Sequence, residues 1–415
     1  MRSVTRLLTT AAGLAVAFAV AAVPAIAKPA QKADASAAPK RQFSKEFATT
    51  LAPYEKALAA QDYATASAAV EAARPKAKSP DEVYTVNQIA LLIATRQGDT
   101  AAQSRAVEAM LSSGAATAMD MAKLNVFLAG RAYNDKRDAD ALRFANAAKA
   151  AGSTDPAIDQ ILASSAVRQG DFAGAIASTE ARIAAMKAAG QAPDEATYRQ
   201  LVGYAQQGKD VALQDRYSQQ WVSAYPTPAN WRVVLMNSMA GRKLEDSVQL
   251  DYFRLMRATN ALSSSDDWRG YAELASFLNL NGEVLAAVNA GTSAGVLNNQ
   301  SVQEIYARSK SKQSEDRASL VSEAKTAAAK TQAKPVAAAA DALVGYGDYA
   351  KAVDLYRIAL TKPGVNTDEV TMRMGIAQAL AGRFADAKAS FAKVQGERQV
   401  LATYWTLWVD RQMGA

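Results

Sequence analysis

The chain of 415 residues contains no cysteine and no histidine. Without cysteine there is no disulfide, no thiolate zinc site and no thiol nucleophile. Without histidine the commonest general base and metal ligand is gone. Catalysis would have to rest on carboxylates, lysine, tyrosine or serine alone. No phosphate-cradling glycine loop and no calcium-loop pattern occurs either. Charge is modest: 47 Lys and Arg against 40 Asp and Glu leave a net +7, spread along the chain. The dense basic stripe with interleaved aromatics that marks nucleic-acid binding is missing. The chain is therefore read as non-enzymatic, with no cofactor, no metal and no nucleic-acid partner.

What is present begins with an address. MRSVTRLLTT carries Arg2 and Arg6, AAGLAVAFAVAAV is uncharged, and Ala25-Ile26-Ala27 is an A-x-A ending. A basic start, a short apolar run and a small-residue site make a secretory signal peptide over residues 1–27, cut after Ala27. The alternative is a retained membrane anchor, weakened by Pro24 and the many small residues. A periplasmic or secreted location is expected, with no integral membrane segment after cleavage. Residues 28–44 begin KPAQKADASAAPKRQ, small, polar and basic, and read as a flexible linker that buries too little apolar surface to order itself.

From about residue 45 one pattern recurs. GYGDYAKAVDLYRIALT at 345–361 and AGRFADAKASFAKV at 381–394 share a glycine, an aromatic two residues on, an alanine, and an aromatic four residues after that alanine. Further copies turn near Gln61, Gly98, Lys136, Gly170, Gly208, Arg242 and Gly282, with a weak one near Ser314. The steps are about 34 to 40 residues, the period of a helical-repeat solenoid. Helix formers fill both sides of each turn. The turn glycine closes the first helix in the left-handed conformation. Ala352 and Ala387 fall where two helices must approach closely, and Tyr356 and Phe391 lie one turn along the same face.

These residues resemble the tetratricopeptide repeat family, whose unit is a pair of antiparallel helices. The last copy supplies Gly375, Phe384, Ala387 and Phe391; the one before it supplies Gly347, Tyr349, Ala352, Tyr356 and Ala359, then Pro363. Phe172 with Ala175 and Tyr63 with Ala66 also fit, whereas the copies at Gly98 and Gly282 lack the turn aromatic. The resemblance implies an all-α fold, an α-solenoid of stacked antiparallel helix pairs. Degenerate repeats are expected over 45–310, a polar helical connector or weak repeat over 311–334, clear repeats over 335–395, and a capping helix over 396–415. In that last helix Trp405 and Trp408 share a face with Leu401. They either cover the open end of the array or anchor a partner.

The remaining chemical motifs are thin. Ser309 with Lys312 and Ser322 with Lys325 match S-x-x-K, but the companion elements of serine enzymes are absent, so both read as solvated helix faces. Asp194-Glu195 and Asp266-Asp267 precede helices, where carboxylates cap free N–H groups. Residues 308–334 are polar and basic, and a polyanion contact there is the alternative to an exposed helix pair or connector. A catalytic domain hidden in 230–335 would need a strand-rich stretch, and none is seen.

In the resembled family the exposed face of each first helix lines a concave groove. Carried to this chain, that implies groove contacts from Gln88, Arg96, Tyr198, Arg232, Glu304 and Arg308. The family's carboxylate clamp is not reproduced. The expectation is a periplasmic scaffold that holds a cell-envelope protein or peptide in its groove. The alternative is an envelope polysaccharide or peptidoglycan factor that binds glycan or carries a glycan-processing enzyme.

Overall fold

The computed structural model describes residues 41–414, apart from 298 and 299. The expected signal peptide and linker residues 28–40 lie outside the described residues.

Among the described residues the elements are helices and short 3₁₀ turns, with no strand. A short α1 (Lys45–Leu51) precedes the hairpin α2 (Pro53–Ala59) and α3 (Tyr63–Ala73). Hairpins follow of α4 (Pro80–Gln97) with α5 (Thr100–Ser112), α6 (Ala118–Asn134) with α7 (Asp138–Ala150), and α8 (Pro156–Arg168) with α9 (Phe172–Ala188). The next are α10 (Glu195–Gln207) with α11 (Val211–Ala224), α12 (Pro228–Ala240) with α13 (Asp246–Ala258), and α14 (Ser265–Phe277) with α15 (Asn281–Ser293). One long α16 (Gln300–Thr326) leads to α17 (Ala333–Gly345) with α18 (Tyr349–Ala359), α19 (Thr367–Leu380) with α20 (Phe384–Phe391), and a final α21 (Gln399–Gln412). This is the expected all-α solenoid of stacked helix pairs.

Apart from α12–α13, whose five-residue link at 241–245 has no left-handed residue, the hairpins share a two-residue turn. The first residue is left-handed and the second caps the next helix. Gly98 (φ 71°), Gly170 (φ 76°) and Gly347 (φ 81°) fill the first place, each followed by Asp. The Asp99 and Asp171 carboxylates accept from Ala102 N and Gly174 N, satisfying free N–H groups at the helix start. Two expected turn glycines are misplaced. Gly208 is right-handed, and Lys209 (φ 56°) takes the left-handed place. Gly282 lies inside α15, and Asn279 (φ 59°) makes the turn. Gly282 is needed for packing instead: a Cβ there would come within 2.7 Å of the Tyr346 ring, where the start of α15 meets the end of α17. The expected turn near Ser314 does not exist, because α16 runs through it.

The clear repeats pack as their pattern implies. Ala352 and Ala387 are fully buried between helices, and Tyr356 and Phe391 fill the next gap. A Cβ at Gly375 would meet Phe391 Cε1 at 2.6 Å, so the small residue sets the spacing. Tyr349 and Phe384 are half-buried at the starts of their helices.

The two halves of the array end differently. Over α1–α9 the apolar clusters follow chain order, one across α1–α4 and one across α4–α8. From α9 onward the core returns on itself. One cluster runs from Ile176 to Val302 and takes in Met372 through Val409, so the last helices pack onto α11–α15. The α21 helix stacks Trp405 on Phe391 and sets Trp408 edge-on to Phe384, as a cap would. On its other side Tyr404 meets Trp231 of α12 edge-on. Trp405 is fully buried, so it packs the core and does not present itself to a partner.

Candidate binding surface

The closure is built around α13. Its central residues Asp251 and Arg254 are buried, at 0% and 3% exposure. Arg254 donates Nε and Nη2 to the two oxygens of Glu283 at 2.8 and 2.6 Å, and Nη1 to Asp251 at 2.9 Å. Tyr271 OH donates to Glu283 at 2.6 Å. Arg398, 147 residues along the chain, donates Nη1 to Asp251 at 3.3 Å and Nη2 to Ser247 at 2.9 Å. Arg373 of α19 donates to Asp341 at 2.7 Å and lies 3.8 Å from Asp251, while Tyr356 OH donates to Asp341 at 2.5 Å. Burial pushes the Glu283 carboxyl up, but Arg254 and Tyr271 outweigh it and leave it below the ordinary value. For Asp341 burial wins over Arg373 and Arg254, and the carboxyl is raised.

Such a cluster could in principle serve chemistry, since perturbed carboxylates mark functional sites. Here Asp251, Glu283 and the three arginines are buried and Asp341 is half-buried, and the two clefts described below lie elsewhere. Buried ion pairs add little net stability, because desolvation offsets much of their attraction. The cluster nevertheless ties α13, α15, α17, α19 and the turn at Gly396–Arg398 into one closed unit.

The first helices do not offer one continuous row of contact residues. Gln88 is half-buried on α4 and Arg96 is exposed near its end. Tyr198 is buried and packs edge-on to Tyr225, so it belongs to the core. Arg232 donates Nε and Nη2 to Asp267 at 2.9 Å each, tying α12 to α14. Glu304 and Arg308 are exposed on α16, where Arg308 donates to Ser276 Oγ at 3.2 Å. No described hydrogen bond or ion pair joins any two of these six residues. The acidic pairs are caps: Asp194 accepts from Thr197 N, and Asp267 forms a capping box with Ser264. Ser309 is buried rather than solvated, while Lys312, Ser322 and Lys325 are exposed.

The concave openings lie elsewhere, in the first half. One cleft of about 390 Å³ opens between α3 and α5, with α4 as its floor; Glu71, Arg74, Asn87 and Arg105 supply its polar lining along with Ser67 and Gln97. A second of about 480 Å³ opens between α5 and α7 over α6, lined by Glu108, Leu111, Ser112, Asn125, Arg143, Phe144 and Ala147. Sequence reasoning missed both, because they lie between second helices and not on the expected face of the first. The sequence carries Asn87 and Asn125 at matching places in two helices, but not their burial.

The start of the described chain is also docked. Arg41 lies over the Tyr84 ring, 3.7 Å from its centroid, and donates to Asp81 at 3.1 Å. Ser44 N donates to Glu82 at 2.7 Å. Residues 41–44 thus belong to the folded array and not to a free linker.

Fold and surface together define an α-solenoid of tetratricopeptide-like hairpins, open in its first half and closed in its second. No protein-family model matches the chain, and no curated protein sequence does. Similar solved structures include a tetratricopeptide repeat protein from Parabacteroides merdae, at 9% identity over 81% of this chain and 100% of that one, with a TM-score of 0.30. The TPR2AB-domain:pHSP90 complex of yeast Sti1 is 13% identical over 69% of this chain and 98% of that one, with a TM-score of 0.23. Yeast Tom70 is 10% identical over 89% of each chain, with a TM-score of 0.24. Among the described residues no helix is long and apolar enough to cross a membrane.

Proposed function

We propose that this chain is an exported, non-enzymatic scaffold that holds a protein or peptide of the cell envelope on its open first half. The observation that carries this reading is the contrast between the halves. In α9–α21 the helices close on a buried ion cluster, whereas α3–α7 present two polar-lined clefts to solvent. Clefts between rigid helices suit side chains of an extended or helical partner. A glycan partner would want rings in a row to stack on. Among the large apolar side chains exposed in the described residues, Phe277 is the only aromatic, which favours protein over sugar.

The test is in two parts. Mass spectrometry of the protein purified from its native envelope should find Lys28 as the first residue. Crosslinking in that fraction should give protein adducts whose linked residues map to α3–α7. Retention on isolated cell-wall glycan without protein adducts would favour the alternative. An uncut chain found in the cytosol would end the export reading.

A further inference from the structure

The two clefts are copies of each other, and one lacks a part. Ser79 and Thr117 cap α4 and α6 in the same way, each through a capping box, and they stand 38 positions apart. In this register Asn87 matches Asn125, and each donates its amide N–H to the carbonyl four residues back, Val83 or Met121, at 2.8 Å. Asp62 and Asp99 cap α3 and α5, so Glu71 matches Glu108 and Arg74 matches Leu111. On the far wall Arg105 and Ala109 match Arg143 and Ala147.

In the first cleft the three parts form a triad. Arg74 donates Nη1 to Asn87 Oδ1 at 2.8 Å, and Nη2 and Nε to Glu71 at 3.0 and 3.2 Å. In the second cleft the carboxylate and the amide are kept, and the guanidinium is replaced by an isobutyl group. Asn125 is 7% exposed, and its Oδ1 accepts no hydrogen bond among the described residues. Glu108 has no ion pair among the described residues. The amide oxygen opens onto the cleft near the exposed Glu108 carboxylate, so the cleft offers two acceptors to an entering donor. Arg143 does not supply it: it donates to Asp140 at 2.8 Å and lies over the Phe144 ring, 4.0 Å from its centroid.

We propose that the second cleft receives an arginine side chain of a partner protein, its guanidinium taking the place that Arg74 holds in the first. The planar fork can bridge Glu108 and Asn125 Oδ1 together, which an ammonium does less well. Leu111 and Phe144 cover the aliphatic stem. Arg105 shows that a second guanidinium on the far wall is compatible with an occupied site. This deepens the scaffold reading and rests on it.

The probe is Nα-acetyl-arginine methylamide, titrated into the purified protein and followed by NMR at the Asn125 side-chain amide and the Leu111 methyls. Its neutral citrulline analogue and its lysine analogue serve as comparisons. Saturable shifts at both positions with the arginine probe alone are expected. Glu108→Lys, an exposed change that leaves the fold intact, should weaken binding about tenfold or more, as loss of a charged hydrogen-bond partner does. Leu111→Arg should rebuild the triad from within and abolish the shift at the Asn125 amide. Equal shifts from the citrulline or lysine analogue, or undiminished binding in Glu108→Lys, overturn the site. Protein adducts on α3–α7 without arginine binding would sink the cleft proposal alone. Arginine binding without any adduct would sink the scaffold reading and leave the cleft standing.

Discussion

Phe391 illustrates how much one side chain carries. Its ring is 3% exposed, stacked on Trp405 and pressed against Gly375, where even one added carbon would collide. Phe391→Ala should cost about 3–5 kcal/mol in chemical denaturation. A change within about 0.5 kcal/mol, usual for open surface sites, would contradict the packing. Arg254 makes a different argument, because its loss leaves Glu283 buried without its bidentate partner and weakens the hold on Asp251. Arg254→Met should destabilise by about 3–5 kcal/mol, and adding Glu283→Met should return part of that, since the unpaired charge and not the missing pair is the main penalty. If the double variant is no more stable than the single, the cluster is not acting through its buried charge. Phe391 and Gly375 were readable in the repeat pattern. Arg254 was not, since an arginine amid apolar residues of a helix looks the same whether it faces water or a carboxylate far along the chain.

At the scale of helices, what could be read depended on which residue makes the turn. Glycine announces a left-handed position, so the ends at Gly98, Gly170 and Gly347 were visible. Gln61, Lys136, Lys209, Asn260 and Asn279 hold the same conformation without that signal. The α16 helix misled for the opposite reason: its small polar residues resemble a worn repeat, yet nothing in it stops a helix for 27 residues. The first helix buries Phe47 and Leu51 in the α1–α4 core, and its start is fastened by one carboxylate. Glu82 accepts from the backbone N–H of Ser44, Lys78 and Ser79 at 2.7, 2.9 and 3.0 Å. Burial alone would raise its carboxyl, but the hydrogen bonds from Ser44, Ser79 and Lys78 bring it from the ordinary 4.5 down to about 2. The folded form thus releases this proton more readily than the unfolded chain. The stability it gives is complete above about pH 4.5 and drains away as the pH falls toward 2. Hydrogen exchange, corrected for intrinsic rates, should show Ser44–Leu51 losing protection between pH 5 and 3 before the α4–α7 core does. Glu82→Gln should already lack part of that protection at pH 7. Acid loosening that starts in α4–α7 instead would rule out Glu82 as the fastening.

For the whole molecule, the decisive contact is the one that local pattern cannot contain. Asp251 and Arg398 are separated by 147 positions, and the ring they help close has no period to betray it. Repeats that touch only their neighbours behave as a one-dimensional chain of weakly coupled units, fraying from a free end. That describes α1–α9, whose clusters follow one another in order. A closed array has no such end, because opening any hairpin of α11–α21 also breaks contacts made by distant helices. Native-state hydrogen exchange should therefore show protection rising stepwise from α1 to α9 and then nearly level across α11–α21. Asp251→Ala removes the acceptor shared by Arg254 and Arg398 and draws Arg373 out of place. It should lower that plateau and turn it into a second gradient falling toward α21, with α4–α7 unchanged. A plateau that drops evenly from α1 to α21 would mean the halves fold as one, and a gradient across α11–α21 in the native protein would mean the array is not closed at all.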